Sequence, residues 1–122
     1  MNSGNFFETL EALLAKLSVP FYEGAPETGQ EELPEFIFYS VYDVPSLHGC
    51  GKEVMTTFNV TFNIYTSGQN KKRRSAEINA ELTKLLTESG FVRRSGSFGL
   101  SNDFPRYYHR ITEFYTVADN AT

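Results

Sequence analysis

Hydrophobic side chains near the start of the chain recur at the spacing of an amphipathic helix. They fall three and four residues apart over residues 5–17, with charged side chains between them, so one helix face would be apolar and the other polar. Pro20 prevents the helix from continuing, since proline lacks the backbone N–H. We predict a helix over residues 5–17 and then a surface loop over residues 19–34. The apolar helix face comprises Phe6, Leu10, Leu13, Leu14 and Leu17.

Two segments in the middle of the chain have the pattern of β-strands. Residues 36–43 carry aromatic and β-branched side chains at both odd and even positions, which is typical of a strand covered on both faces. In residues 54–65 large apolar side chains alternate with Thr and Asn, and this period of two predicts one buried face and one polar face. A connector over residues 44–51 would join the two strands as a hairpin. The polar face comprises Thr57, Asn59, Thr61 and Asn63.

Helical spacing returns in the second half of the chain. Apolar residues recur at this spacing over residues 71–89, and Gly90 is typical of the position that ends a helix. Two further strands are predicted over residues 91–100 and 106–117. The last strand has apolar side chains on both alternating faces, which either a β-bulge or burial on both faces would explain. Residues 118–122 are expected to fray.

The order of these elements predicts the fold class. It reads αββαββ over residues 1–122, which we interpret as a single α+β domain. Two amphipathic helices and four strands with a common apolar face favour a two-layer sandwich, with both helices on one face of a mixed or antiparallel four-stranded sheet. The helix between the second and third strands returns the chain, so those two strands should run in the same direction.

Composition narrows the classes of protein to which the chain can belong. It has 122 residues, a net charge of −4, one cysteine and no tryptophan. A single cysteine excludes an internal disulfide. No run of about 18 apolar residues occurs, which argues against a transmembrane helix, and the amino terminus lacks the basic segment of a secretory signal. We therefore expect an intracellular protein with no membrane partner.

Charge is unevenly distributed along the chain. Residues 1–45 carry eight acidic residues and one basic residue, whereas residues 46–122 carry ten basic and seven acidic residues. A chain of this kind is suited to complementary contacts with its own copies or with a charged partner. An ordinary polar surface is the alternative interpretation.

Candidate catalytic groups are few. Cys50 lies two residues from His48, but a thiol nucleophile needs a base within reach and a third group that orients the base. The sequence contains no nucleotide-binding or hydrolase motif, and its His, Cys and acidic residues do not have the spacing typical of metal ligands. We predict that the protein is not an enzyme and has no catalytic, metal-binding or cofactor-binding residue. An enzyme that uses Cys50 or His109 is an alternative.

Four consecutive basic residues begin the second predicted helix. Residues 71–74 lie where the helix dipole disfavours cations, so they do not serve helix stability. Three interpretations stay open: contact with an acidic protein surface, contact with nucleic acid phosphates, or a solvated helix start. The polar strand face and the connector are further candidate contact regions. The predicted subunit or partner interface comprises Lys71, Lys72, Arg73, Arg74, Arg93, Arg94, His48, Lys52, Thr57, Asn59, Thr61 and Asn63.

Three short motifs resemble those of a known family. They lie after the first helix, at the start of the first strand and at the end of the second strand. In order, they are Val19-Pro20-Phe21-Tyr22-Glu23-Gly24, Leu33-Pro34-Glu35-Phe36-Ile37-Phe38-Tyr39 and Ile64-Tyr65-Thr66. With the order of elements, they resemble the tail terminator proteins, or tail-to-head joining (tail completion) proteins, of long-tailed bacteriophages. The first two motifs each differ from the family's by one inserted residue.

The resemblance implies a structural role. Such a protein is a small α+β subunit that forms a ring, commonly a hexamer, on the head-proximal end of the virion tail. Its partners would be its own copies, the tail tube protein and a head completion or connector protein, with DNA only passing through the lumen. It would assemble in the host cytoplasm without catalysis. A small ferredoxin-like binding or adaptor domain is the alternative, and a nucleic-acid-binding protein is a third possibility.

Overall fold

The computed structural model describes the backbone of residues 2–24, 33–49, 52–100 and 106–119. Within these ranges, the side chains of residues 46–49, 52–54 and 95–100 lie outside the description. A 3-10 turn, Ser3–Asn5, precedes the first helix. The helices are α1 (Phe6–Leu14) and α2 (Lys71–Glu88), and the strands are β1 (Phe21–Glu23), β2 (Glu35–Gly49), β3 (Lys52–Thr66), β4 (Val92–Leu100) and β5 (Tyr108–Asp119).

The predicted α+β class with two helices is confirmed, but the predicted number of strands is wrong. The structure has five strands because Phe21–Glu23, placed in a loop by the sequence pattern, pairs with β2 in parallel. The predicted hairpin is confirmed, although its strands extend through most of the predicted connector and pair as far as Gly49 and Lys52. Ala118 and Asp119, expected to fray, belong to β5.

The strands form one mixed sheet in the order β1-β2-β3-β5-β4. The β1–β2 pair is parallel, and the other three pairs are antiparallel. Because β3 and β4 are each antiparallel to β5, they run in the same direction, as the intervening helix predicts. They do not pair with each other, since β5 lies between them.

Both helices pack against one face of the sheet, here called the inner face. Apolar residues of α1 and α2 form one buried cluster with the alternate residues Phe58, Val60, Phe62 and Ile64 of β3. The Phe6 ring of α1 stacks on the Phe58 ring at a centroid distance of 3.9 Å. The period-two pattern of β3 is thus confirmed, with its large side chains towards the helices.

The sequence of β5 left open whether this strand contains a β-bulge, and its pairing with β3 shows none. Its pairing with β3 is continuous from Met55↔Asp119 to Thr66↔Tyr108. Phe114 and Ala118 face the helices in the buried cluster, so the odd-numbered side chains of β5 lie on the opposite, outer face. The irregular pairing is instead in β4, between Arg93 and Ser95.

The inner face also buries a tyrosine. Tyr39 on β2 is almost completely buried. This burial, with smaller contributions from Glu11 and Glu23, raises the pKa of Tyr39 to about 12. The Tyr39 phenol is therefore harder to ionise than an ordinary tyrosine, which is itself neutral at pH 7, and it adds no charge to the core.

Aromatic residues cover one end of the outer face. Phe36, Phe38, Tyr65 and Tyr107 form a second buried cluster, against which Tyr22 and Leu33 pack. At this end β2 is covered on both faces, as predicted: Ile37 and Tyr39 belong to the inner cluster, whereas Phe36 and Phe38 belong to the outer one.

Candidate interaction surfaces

The other end of the outer face exposes large apolar side chains. The exposed fractions are 58% for Tyr42, 44% for Val44, 47% for Val92 and 42% for Val117. Strand pairing places all four on the outer face in two neighbouring rows: Val44 and Val117 lie on either side of Thr57, and Tyr42 and Val92 are connected through Asn59 and Tyr115. We call these four residues the apolar sheet patch.

Neither this patch nor its extent follows from the sequence pattern. Residues 36–43 were predicted to be covered on both faces, and this is true only of the first part of the segment. The alternating pattern of β3 could have indicated the patch, because a residue paired with Thr57 or Asn59 lies on the same outer face as these residues. That inference requires the strand register, which the sequence did not provide.

The predicted polar row of β3 lies on the outer face, but two of its members already have partners. Asn59 Oδ1 accepts a hydrogen bond from Arg94 Nη2 at 3.0 Å. Asn63 Oδ1 lies 2.8 Å from His109 Nε2, and the His109 ring stacks on Tyr65. Thr57 and Thr61 are partly exposed on the same face. His109 is therefore oriented by Asn63 and by stacking on Tyr65.

Arg94 supplies a positive charge beside the apolar sheet patch. Its guanidinium lies over the Tyr115 ring, 4.6 Å from the centroid, while Asn59 holds one of its nitrogen atoms. Cation–π contact and a hydrogen bond both orient the group, and the residue remains exposed. This arrangement suits a surface that meets an acidic partner over apolar side chains.

The basic residues at the start of α2 separate into different environments. Lys72 and Arg73 line a cleft of about 460 Å³ together with Arg110 of β5. Arg94 and Arg93 do not join this cleft, because they lie at the other end of β5, opposite Tyr115 and Phe114. Lys71 is partly exposed at the start of the helix. The basic candidate residues therefore do not form one continuous patch: one group lies at the start of α2 and the other at the start of β4.

Arg74 links α2 to β2 through a bidentate ion pair with Glu35. Its Nε and Nη2 atoms donate to the two carboxylate oxygens of Glu35 at 2.9 and 2.8 Å, and Nη1 lies 3.5 Å from Glu77 Oε1. The hydrogen bonds to Glu35 raise the pKa of the Arg74 guanidinium above its already high ordinary value. The predicted role of Arg74 in a partner interface therefore competes with a structural role.

Removing the Glu35–Arg74 pair should lower stability modestly. We expect a double-mutant cycle with Glu35→Ala and Arg74→Ala to give a coupling energy of about 0.5–1 kcal/mol, since both side chains are partly exposed and the pair is bidentate. Urea unfolding followed by circular dichroism measures it. The control Arg73→Ala, one residue away and exposed, should change stability by less than about 0.5 kcal/mol. A coupling energy near zero would show that the Glu35–Arg74 ion pair does not stabilise the fold.

The remaining candidates cannot be placed. The backbones of His48 and Lys52 belong to the β2–β3 hairpin, but their side chains lie outside the described part, as does Cys50. Within the described ranges, no three His, Cys, Asp or Glu side chains are grouped as metal ligands. No helix of the described chain is long and apolar enough to span a membrane.

Comparison with known proteins adds no assignment. Neither any family model nor any curated protein matches this chain.

Proposed function

We propose that this protein is a ring-forming structural subunit that caps the tail tube of a long-tailed bacteriophage and joins it to the head connector. The observation that carries this proposal is the apolar sheet patch, where four large apolar side chains are exposed within two neighbouring rows of the outer face. Large apolar side chains exposed together at one end of a sheet face are typical of an interaction site. The sequence motifs that resemble those of tail terminator proteins are the basis for proposing a ring on a phage tail.

The physical requirements of a ring support the same proposal. Subunits that close into a ring meet head to tail, so each copy presents two different and complementary surfaces. This chain has an acidic first third and a more basic remainder. The other proposed partners are the tail tube protein and a head completion protein, at the head-proximal end of the virion tail. DNA passes through the ring, and no catalytic step is required.

The oligomeric mass of the purified protein tests the proposal. We expect light scattering to detect a discrete ring, commonly of six copies of the 13.8 kDa chain, that forms as the concentration rises. Val44→Asp, within the apolar sheet patch, should shift the protein towards monomer, because assembly would bury the new charge. The control Ala80→Asp, at an exposed position of α2, should assemble normally.

Two outcomes would contradict the proposal. One is a wild-type protein that stays monomeric up to millimolar concentration and shows no rings by electron microscopy. The other is a ring whose formation is unaffected by Val44→Asp, since the patch would then carry no assembly contact.

The second candidate function is that of a small ferredoxin-like binding or adaptor domain. The cleft lined by Lys72, Arg73 and Arg110 favours it, because three cations at one concave site suit an anionic ligand. Such a domain would be a monomer or dimer of fixed mass, so the light-scattering series separates the two functions.

A further inference from the structure

A second exposed apolar group lies on the helix side of the molecule. Phe7 on α1 is 41% exposed, and the acidic residues Glu8 and Glu11 are exposed beside it. Residues 7, 8 and 11 share one side of a helix, because positions three and four apart are neighbours on its surface. We call Phe7, Glu8 and Glu11 the α1 knob.

The α1 knob and the apolar sheet patch together account for the exposed large hydrophobic side chains. In the part of the chain that the structure describes, there are five such side chains: one is Phe7, and the other four form the patch. Exposure of this kind is therefore concentrated at two places rather than scattered. The Phe7 ring packs edge-on against the Phe6 ring at a centroid distance of 5.3 Å but remains 41% exposed. Contact with the patch of another copy would cover this exposed part.

Arg94 gives the patch a positive charge that is opposite in sign to the charge of α1. Helix α1 contains two acidic residues and no basic residue, whereas Arg94 of β4 is exposed on the outer face. Its neighbour Arg93 pairs with Phe114 and therefore lies towards the inner face. Arg94 extends over Tyr115, next to Val92 of the patch. The outer face also carries the acidic residues Glu113 and Asp119, at the outer-face positions of β5 next to Tyr115 and Val117, so the attraction for a carboxylate is local to Arg94. Opposite charges at an interface set the register of docking.

The two surfaces lie on opposite sides of the sheet. Helix α1 packs on the inner face through Phe6 and Leu10, whereas the patch belongs to the outer face. One copy therefore cannot bring its own knob onto its own patch without unfolding. A contact between knob and patch joins two copies, and it is heterologous because each copy contributes a different surface.

We propose that the α1 knob of one copy docks on the apolar sheet patch of a second copy of this chain. Phe7 packs against the exposed tyrosine and valine side chains, and the carboxylates of Glu8 and Glu11 lie beside Arg94. This inference rests on the proposed ring function and assigns the two surfaces that form the ring contact. Each copy in the ring uses its knob on one neighbour and its patch on the other.

Two complementary variants test this contact. Phe7→Asp disables the knob and leaves the patch intact, whereas Val117→Asp disables the patch and leaves the knob intact. Each variant alone should raise the dissociation constant between copies by at least about 30-fold, as expected for a central interface residue. A mixture of the two should form a dimer and nothing larger, because one intact knob and one intact patch remain. Native mass spectrometry identifies that dimer by the two subunit masses.

Controls separate this result from misfolding. Both positions are exposed in the structure, so each variant should retain the wild-type circular dichroism spectrum and a melting temperature close to that of the wild type. The conservative variants Phe7→Leu and Val117→Ile should still assemble.

The outcomes distinguish this inference from the proposed function. If wild-type rings form and persist in both aspartate variants, the knob-and-patch contact is wrong, while ring formation stands. If both variants are monomeric and their mixture forms no heterodimer, the contact is also overturned, because the two surfaces do not bind each other. If the wild type forms no ring at all, the proposed function fails, and this inference fails with it.

Discussion

Replacing Phe6 with alanine is expected to lower the free energy of unfolding by about 3–5 kcal/mol. Phe6 is fully buried. Its ring stacks on Phe58 at 3.9 Å and lies 6.1 Å from the Phe91 ring. The substitution would remove most of the contact between the start of α1 and the sheet, and it would leave a cavity that rigid strands cannot fill. Urea unfolding followed by circular dichroism measures the loss.

The adjacent residue provides a matched control for Phe6. Phe7 has the same side chain and lies in the same helical turn, but it is substantially exposed. Phe7→Ala should therefore change the stability of the monomer by less than about 1 kcal/mol, measured at a concentration below assembly. If the two substitutions were equally destabilising, the orientation of α1 on the sheet would be wrong. The pair also separates folding from assembly, since only Phe7 belongs to the α1 knob.

Replacing Tyr107 with alanine should cost a similar amount, about 3–5 kcal/mol, through the other face of the sheet. Tyr107 is fully buried, and its ring lies 5.1 Å from Phe36 and 6.3 Å from Tyr65. Its hydroxyl donates to the backbone carbonyl of Leu33 and accepts from Arg106 Nη2. Alanine would remove both the packing and these hydrogen bonds, so the partly buried Leu33 carbonyl would lose a partner. Thermal and urea unfolding both measure the effect.

Tyr42 is the control for Tyr107, because it lies on the same outer face at the uncovered end. Tyr42→Ala should lower monomer stability by less than about 1 kcal/mol, since its side chain is largely exposed. Its expected effect is instead on assembly, as part of the apolar sheet patch. A large loss of monomer stability on Tyr42→Ala, or a negligible one on Tyr107→Ala, would show that the two ends of the outer face are not covered as described.

These substitutions separate the parts of the molecule that maintain the fold from those available to partners. One end of the outer face is closed by aromatic residues of the same chain. The other end exposes valine and tyrosine side chains beside a fixed guanidinium. One sheet face is thus divided into a buried end and an end with exposed apolar side chains.

The charged residues show how sequence neighbours can differ in role. In the sequence, Arg73 and Arg74 are equivalent, because both belong to one run of four basic residues. In the structure Arg74 pairs with Glu35, which is 39 residues away, whereas Arg73 lines an open cleft. A run of like charges therefore predicted a basic surface, but it did not predict which of its members were available to a partner.

By itself, the sequence determined the presence of both helices, the alternating faces of β3 and the presence of a β2–β3 hairpin, although α1 ends at Leu14 and not at residue 17 as predicted. These features depend on local periodicity, because the positions of neighbouring side chains on a helix or strand follow from backbone geometry alone. Tertiary structure alone decided that Phe21–Glu23 is a strand, because three residues form one only where β2 offers pairing partners. It also decided which outer-face residues are covered, because Tyr65 and Tyr107 reach Phe36 from distant parts of the chain. A pattern of apolar residues predicts which side chains favour burial, but which of them stay exposed depends on contacts between elements far apart in sequence.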